Sequence, residues 1–285
     1  MAKTVKTIKT ILRGKTPAQM RVKGQFWQRL NRFDSPSGDP VTLFAMPLVS
    51  RSRSGDWGTV SYNLAATLAS MRAQTSGRWE LIICGQDEPD GIEFDDQVQF
   101  LRYPGSDAFF DKGRKRRAII HHAAKIRKDD GYLFQFDADD LLHPGVVEHI
   151  HATDNGAGYY VERGYMIEEP GGHLAPLDPE PGHIPFNRIC GSSNAVRFDF
   201  RRSRASKTVL SEMKAHPAIP ARMAYYGLEM TPIPFPAALY LVGHGENMVA
   251  RRGTIDSKLS YAQTHRIEDP ERIARIRADF GLTAP

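Results

Sequence analysis

Cysteine is scarce in this chain: Cys84 and Cys190 are the only two among 285 residues. They lie far apart, each in apolar surroundings and outside any Cys-x-x-Cys spacing. That excludes a disulfide-stapled scaffold, a thiolate zinc site and a dithiol redox motif, and two reduced core thiols are expected. No apolar run approaches the roughly 18 residues that a membrane span needs. No uncharged apolar segment follows the lysine-rich start, so a secretory signal is not expected and the cytoplasm is the expected compartment. Internal repeats and long low-complexity tracts are also missing. With 41% hydrophobic and 25% charged residues, the composition is that of a soluble globular protein of one large or two small domains.

The most uneven absence is of acid. Residues 1–32 hold nine basic residues (Lys3, Lys6, Lys9, Arg13, Lys15, Arg21, Lys23, Arg29 and Arg32) and neither Asp nor Glu. Removing those nine from the 38 basic residues leaves 29 against 33 acidic ones, so the net charge of +5 belongs to an arm on a mildly acidic body. Val5, Ile8 and Leu12 recur at helical spacing with lysines between them, and Phe26 and Trp27 follow. Two readings fit this arm: a solvated terminus, or peripheral contact with an anionic membrane at the inner face. Nucleic acid is not an expected partner, because the basic residues are confined to the arm and no nucleic-acid module follows it.

After the linker 34-DSPSGDP-40, strand and helix patterns alternate. Val41–Val49 reads as a buried strand with Pro47 near its end. A helix over about 60–74 carries the stripe Leu64, Leu68 and Met71. Strands follow at 79-WELIICG-85 and, more weakly, 97-QVQFLRYP-104. A helix over about 113–128 is expected to turn Ala118, Ile119, His122, Ala123 and Ile126 inward. The next strand ends in three acids within 131-GYLFQFDADDLLHP-144.

This order predicts an α/β fold with a mostly parallel sheet flanked by helices, its ligands beyond the carboxyl ends of the strands. Further along, a short helix from His143-Pro144 to about Thr153, strand-like stretches at 157–167 and 193–200, broken helix over 205–226, a strand at 237–243 and a capped final helix at 269–281 are expected.

The acidic end of that strand is the chemical feature. Asp137 and Asp139 stand two apart, which in extended chain puts both carboxylates on one face. Such a pair repels unless it shares a cation, and hard oxygen ligands suit Mg2+ or Mn2+. Asp-x-Asp by itself fits a helix cap equally well, and Asp140 can either orient a ligand or cap the following helix. His143, His149 and His151 read as solvated or capping residues.

Four stretches together resemble the GT-A glycosyltransferases, particularly the family 2-like group: 44-FAMPLVS-50, 64-LAATLASMRAQT-75, 79-WELIICGQDEPDG-91, and 113-GRKRRAIIHHA-123 leading to 134-FQFDADDLLHP-144. The resemblance covers residues 41–153 well and 154–250 loosely. It implies a Rossmann-like GT-A domain over 41–250, with a nucleotide-sugar half (41–153) and a looser acceptor half (154–250). The arm and linker (1–40) precede this domain, and a helical tail (251–285) follows it.

The implied activity is metal-dependent, inverting transfer of a sugar from a nucleotide-diphosphate donor to a glycan or lipid-linked acceptor. Pro47, Asp87, Arg114, Arg117 and Asp137 would border the donor. Asp137, Asp139 and His244, in 243-GHGEN-247, would hold Mn2+ or Mg2+. The family's acidic pair after the second strand aligns here with Gly85 and Gln86, and Asp87 falls one place late, which leaves the base unspecified. For the catalytic base, which deprotonates the acceptor hydroxyl, Glu212 and His216 of 211-SEMKAH-216 are the candidates.

Two rivals remain. One is a haloacid-dehalogenase-like phosphatase with Asp137 as nucleophile, although that fold normally opens with its Asp-x-Asp strand. The other is a catalytically inactive GT-A-like binding module at the membrane.

Overall fold

A computed structural model of the chain describes residues 16–30, 34–107, 111–169, 171–201, 206–247, 253 and 255–282. The helical pattern of Val5, Ile8 and Leu12 lies outside the described residues.

The fold is organised by its most apolar strands. β1 (Val41–Pro47) is buried along nearly its whole length, the pattern of a central strand covered on both faces. It pairs in parallel with β2 (Trp79–Gly85) on one side and β4 (Asp130–Gln135) on the other. β3 (Val98–Arg102) adds in parallel outside β2. Gly131 makes the β1–β4 seam possible, since a Cβ there would lie 2.0 Å from the carbonyl oxygen of Val41. On the far side of β4 the sheet continues antiparallel through β9 (Asn194–Asp199) to β6 (Gly158–Tyr160), and then in parallel to β10 (Thr231–Pro232). The seven-stranded order is therefore 10-6-9-4-1-2-3, mostly parallel, as the alternating pattern predicts.

A second sheet, which the sequence pattern did not predict, has the order 5-11-7-8. It joins β5 (Asp140–Leu142), β7 (Gly164–Glu168), β8 (His173–Leu177) and β11 (Ala238–Val242). The stretch read as one strand over 157–167 is thus two, one in each sheet.

Helices cover both faces of the large sheet. α1 (Pro17–Leu30) precedes it. α2 (Trp57–Arg72) starts where the Asp56 side chain accepts from the backbone N–H of Gly58, and it buries Leu64, Leu68 and Met71 as expected. α3 (Lys112–Ile126) packs on β1 and β2. Its buried face is Lys115, Ile119, Ile120, Ala123 and Ala124, and Ile126 is exposed, so the apolar face is turned from the one expected.

α4 (Val146–Thr153), α5 (Phe186–Ile189), α6 (Ser206–Leu210), α7 (Ile219–Ala224) and α8 (Asp256–Thr264) follow. α9 (Pro270–Asp279) is capped by Asp269 and lays Ile276 and Phe280 against Leu141, Leu239 and Leu241 of the second sheet. Phe44, Phe134 and Phe136 form the aromatic centre of the core, with Phe44 and Phe134 stacked at 5.4 Å between centroids. Among the described residues no helix is long and apolar enough to cross a membrane. Cys84 and Cys190 are both free and buried.

Candidate active site

In the order 3-2-1-4 the chain moves away from β1 in both directions, so a crevice opens beyond the carboxyl ends of β1 and β4. The last β1 residue, Pro47, and the turn Asp137-Ala138-Asp139 that follows β4 both line it. The cavity has a volume of about 400 Å3, within the usual range for small-molecule sites.

Asp137 is held from two sides. Lys112 donates from Nζ to Oδ2 at 2.6 Å, and Arg116 donates from Nη2 to Oδ1 at 2.9 Å. Burial by itself would raise the Asp137 pKa, but the two cations bring it down to about 2. Both oxygens are thus engaged by cations from one face of α3. Lys115, on the same face, is fully buried: it pairs with Asp111 at 2.8 Å and donates to the carbonyl oxygen of Leu48 at 2.7 Å, tying α3 to the end of β1. Residues 112, 115, 116 and 119 share a helix face at the i, i+3, i+4, i+7 spacing. Arg114 and Arg117, expected at the donor, lie off that face and are exposed, away from the cavity. The expected inward face is off by about one residue, which exchanges the cations that face in with those that face out.

Asp139 meets the loop after β11. Its Oδ2 lies 3.2 Å from His244 Nε2 and accepts from Asn247 Nδ2 at 3.1 Å. Asn247 is itself fixed, accepting from the Gly243 N–H and donating to the Leu241 carbonyl. Glu246 accepts from the backbone N–H groups of Gly55 and Asp56, which joins this loop to the start of α2. Burial would lower the His244 pKa, but the Asp139 carboxylate carries it above the ordinary value.

Among the described residues no three His, Cys, Asp or Glu side chains converge as a metal cage. Asp139 and His244 face each other at 3.2 Å, and the Asn247 amide Nδ2 lies 2.7 Å from His244 Nε2 and 3.1 Å from Asp139 Oδ2, so the two side chains already have partners in each other and in Asn247. A divalent ion held by this pair would have to displace these contacts and take its remaining ligands from substrate phosphate and water. Asp137, engaged by Lys112 and Arg116, is placed as a partner of cations.

Asp140 is a β5 residue buried behind the site, and it does not cap the following helix, whose N-cap is Gly145. It accepts from Ser192 Oγ and from Cys190 Sγ. Burial and the nearby Asp139 and Asp137 charges push its pKa well above the usual carboxylate range, against the opposing hydrogen bonds from Ser192 and Cys190.

The two base candidates separate. Glu212 pairs with Lys23 of α1 at 2.5 Å and does not line the cavity. His216 does line it, with Nδ1 2.8 Å from the carbonyl oxygen of Asn187. A carbonyl only accepts, so the Nδ1 nitrogen carries the hydrogen and Nε2 is left bare. Burial pushes the His216 pKa below 6.5; the Asn187 carbonyl and Asp137 oppose this, and Lys112 and Arg116 add to it. The preceding residue, Ala215, has φ +54°, a left-handed conformation that a residue with a Cβ rarely adopts.

Asp87 accepts from the backbone N–H of Arg51 on the exposed loop after β2 and is not among the cavity residues. Sequence reasoning missed Lys258. This lysine reaches the cavity from α8, donates to the Tyr240 hydroxyl at 2.8 Å and to the Ile189 carbonyl at 3.1 Å, and sits 4.4 Å above the Tyr240 ring. No local motif marks it, because it arrives only through the packing of a distant helix.

Fold and site together define an α/β protein with a cation-rich, carboxylate-bearing pocket at the switch point of its sheet. Compared with protein-family models and with curated proteins, the chain matches none of them.

Proposed function

We propose that the chain is a glycosyltransferase of the GT-A type that binds a nucleotide-diphosphate sugar in this pocket and transfers the sugar to a hydroxyl acceptor. The observation that carries the reading is the Asp137-Ala138-Asp139 turn at the switch point, with Lys112, Arg116 and Lys258 lining the same cavity. An anionic diphosphate suits such a pocket: its oxygens join the Asp137 carboxylate as partners of Lys112 and Arg116, and Lys258 supplies a third cation.

Transfer then needs one base. His216 Nε2 accepts the proton of the acceptor hydroxyl as its oxygen bonds to the anomeric carbon, and the bond from that carbon to the diphosphate breaks. The electron pair leaves with the diphosphate, where the cations stabilise it. A single displacement of this kind inverts the anomeric centre. A Mn2+ or Mg2+ ion held by Asp139 and His244 would add charge stabilisation at the same diphosphate.

The test is release of nucleoside diphosphate from a panel of nucleotide sugars incubated with the protein and simple glycan or lipid-linked acceptors. Release from at least one donor, lost in His216→Gln, is expected. Release from none, or trapping of an acyl-phosphate at Asp137 from an aryl phosphate, would overturn the reading in favour of the phosphatase.

A further inference from the structure

α1 keeps two large apolar side chains, Val22 and Phe26, on its outward side. It docks through Met20, Lys23, Gly24 and Trp27, the i, i+3, i+4, i+7 stripe. Lys23 is buried on Glu212, Trp27 packs into the core cluster of α3 and α7, and a Cβ on Gly24 would lie 1.6 Å from the Tyr225 carbonyl oxygen. The opposite stripe, Ala18, Arg21, Val22, Gln25, Phe26 and Arg29, is exposed along its whole length. Val22 at 47% and Phe26 at 41% are two of the four large hydrophobic side chains that are exposed among the described residues. They stand between Arg21 and Arg29, in a stretch of 32 residues with nine basic side chains and no acid.

An aliphatic and an aromatic side chain framed by cations and free of acid match an interface of acyl chains under anionic headgroups. A second copy of the chain matches poorly, because a two-fold contact through this face would bring arginines against arginines. We propose that the exposed face of α1 docks on an anionic membrane surface: Val22 and Phe26 enter the interface, and Arg21 and Arg29 lie against lipid phosphates. The helix is clamped to Glu212, four residues before His216, which ties the docked helix to the segment that carries the candidate base. Delivery of a membrane-borne acceptor to His216 is the one consequence that rests on the transferase reading.

Flotation of the full chain with vesicles tests the proposal without any nucleotide, so its failure leaves the transferase reading standing. Binding is expected to vesicles of phosphatidylcholine with phosphatidylglycerol at low salt, with release at high salt and none to phosphatidylcholine alone. Arg21→Gln with Arg29→Gln lowers the partition coefficient about fivefold per charge. Val22→Ser with Phe26→Ser lowers it on the order of tenfold. Both pairs are exposed, so their melting temperatures should match wild type. Absence of binding to either vesicle, undiminished binding by both variants, or closure of this face in a dimer or on an acidic protein instead would overturn the proposal.

Discussion

Removing both cations that hold Asp137 should expose how much of the site's charge balance is stored in the folded state. A carboxyl at about 2, against 3.8 when free, corresponds to about 2 kcal/mol in favour of folding. The folded pKa is depressed, so this contribution is fully present above pH 3.8 and is lost as the pH falls towards 2; about half remains at pH 3. In Lys112→Met with Arg116→Met the burial of Asp137 is unopposed, its pKa rises, and stability at neutral pH falls by about 2 to 4 kcal/mol.

Urea unfolding at pH 7 and at pH 3 measures both numbers, with a smaller loss expected at pH 3. Adding Asp137→Asn to the double variant should recover part of the loss at pH 7. An equal loss at both pH values, with no recovery from Asp137→Asn, would refute the electrostatic account and leave packing of the two long side chains as the cause.

With His216 as base, the acid limb of kcat/KM should inflect below pH 6.5, because protonation of Nε2 removes the acceptor; an unchanged acid limb in His216→Gln counts against that role. Asp140 has a raised folded pKa, so its burial opposes folding increasingly as the pH rises above 3.8, and Asp140→Asn should leave stability at pH 7 unchanged or higher in calorimetric melts. Ala215→Gly relieves a left-handed backbone and should stabilise by up to about 1 kcal/mol while lowering kcat through a looser His216, a combination that chemical unfolding and kinetics read separately. Lys258→Met should weaken nucleoside diphosphate binding about tenfold, since it takes one cation out of the pocket, and should not lower the melting temperature, since its partners, the Tyr240 hydroxyl and the Ile189 carbonyl, are neutral and no ion pair is broken.

The large sheet was legible because β1, β2 and β4 are near-continuous apolar runs, a signal that does not depend on partners. The final helix was legible from Asp269, Pro270 and Gly281. In the second sheet only β11 was legible, as the apolar run expected at 237–243; β5 and β8 are short, His173–Leu177 carries an internal proline, and these strands are specified by their neighbours across the sheet.

At the site, Asp137, Asp139, His216, His244 and Pro47 come together around one cavity. Arg114 and Arg117 were misplaced because five cations within six residues hide a shift of about one residue in the helix face. Glu212 was a candidate base by sequence position alone, and its engagement with Lys23 depends on a helix 189 residues away. Lys258 carries no local signature at all.

Calorimetric titration of nucleoside diphosphates with and without Mn2+, on wild type and Asp139→Ala, tests the donor site most directly. The account predicts that at least one nucleoside diphosphate binds the wild type, tightens with Mn2+ and loses that tightening in Asp139→Ala. Binding by none of them, or identical Mn2+ dependence in the variant, would contradict it.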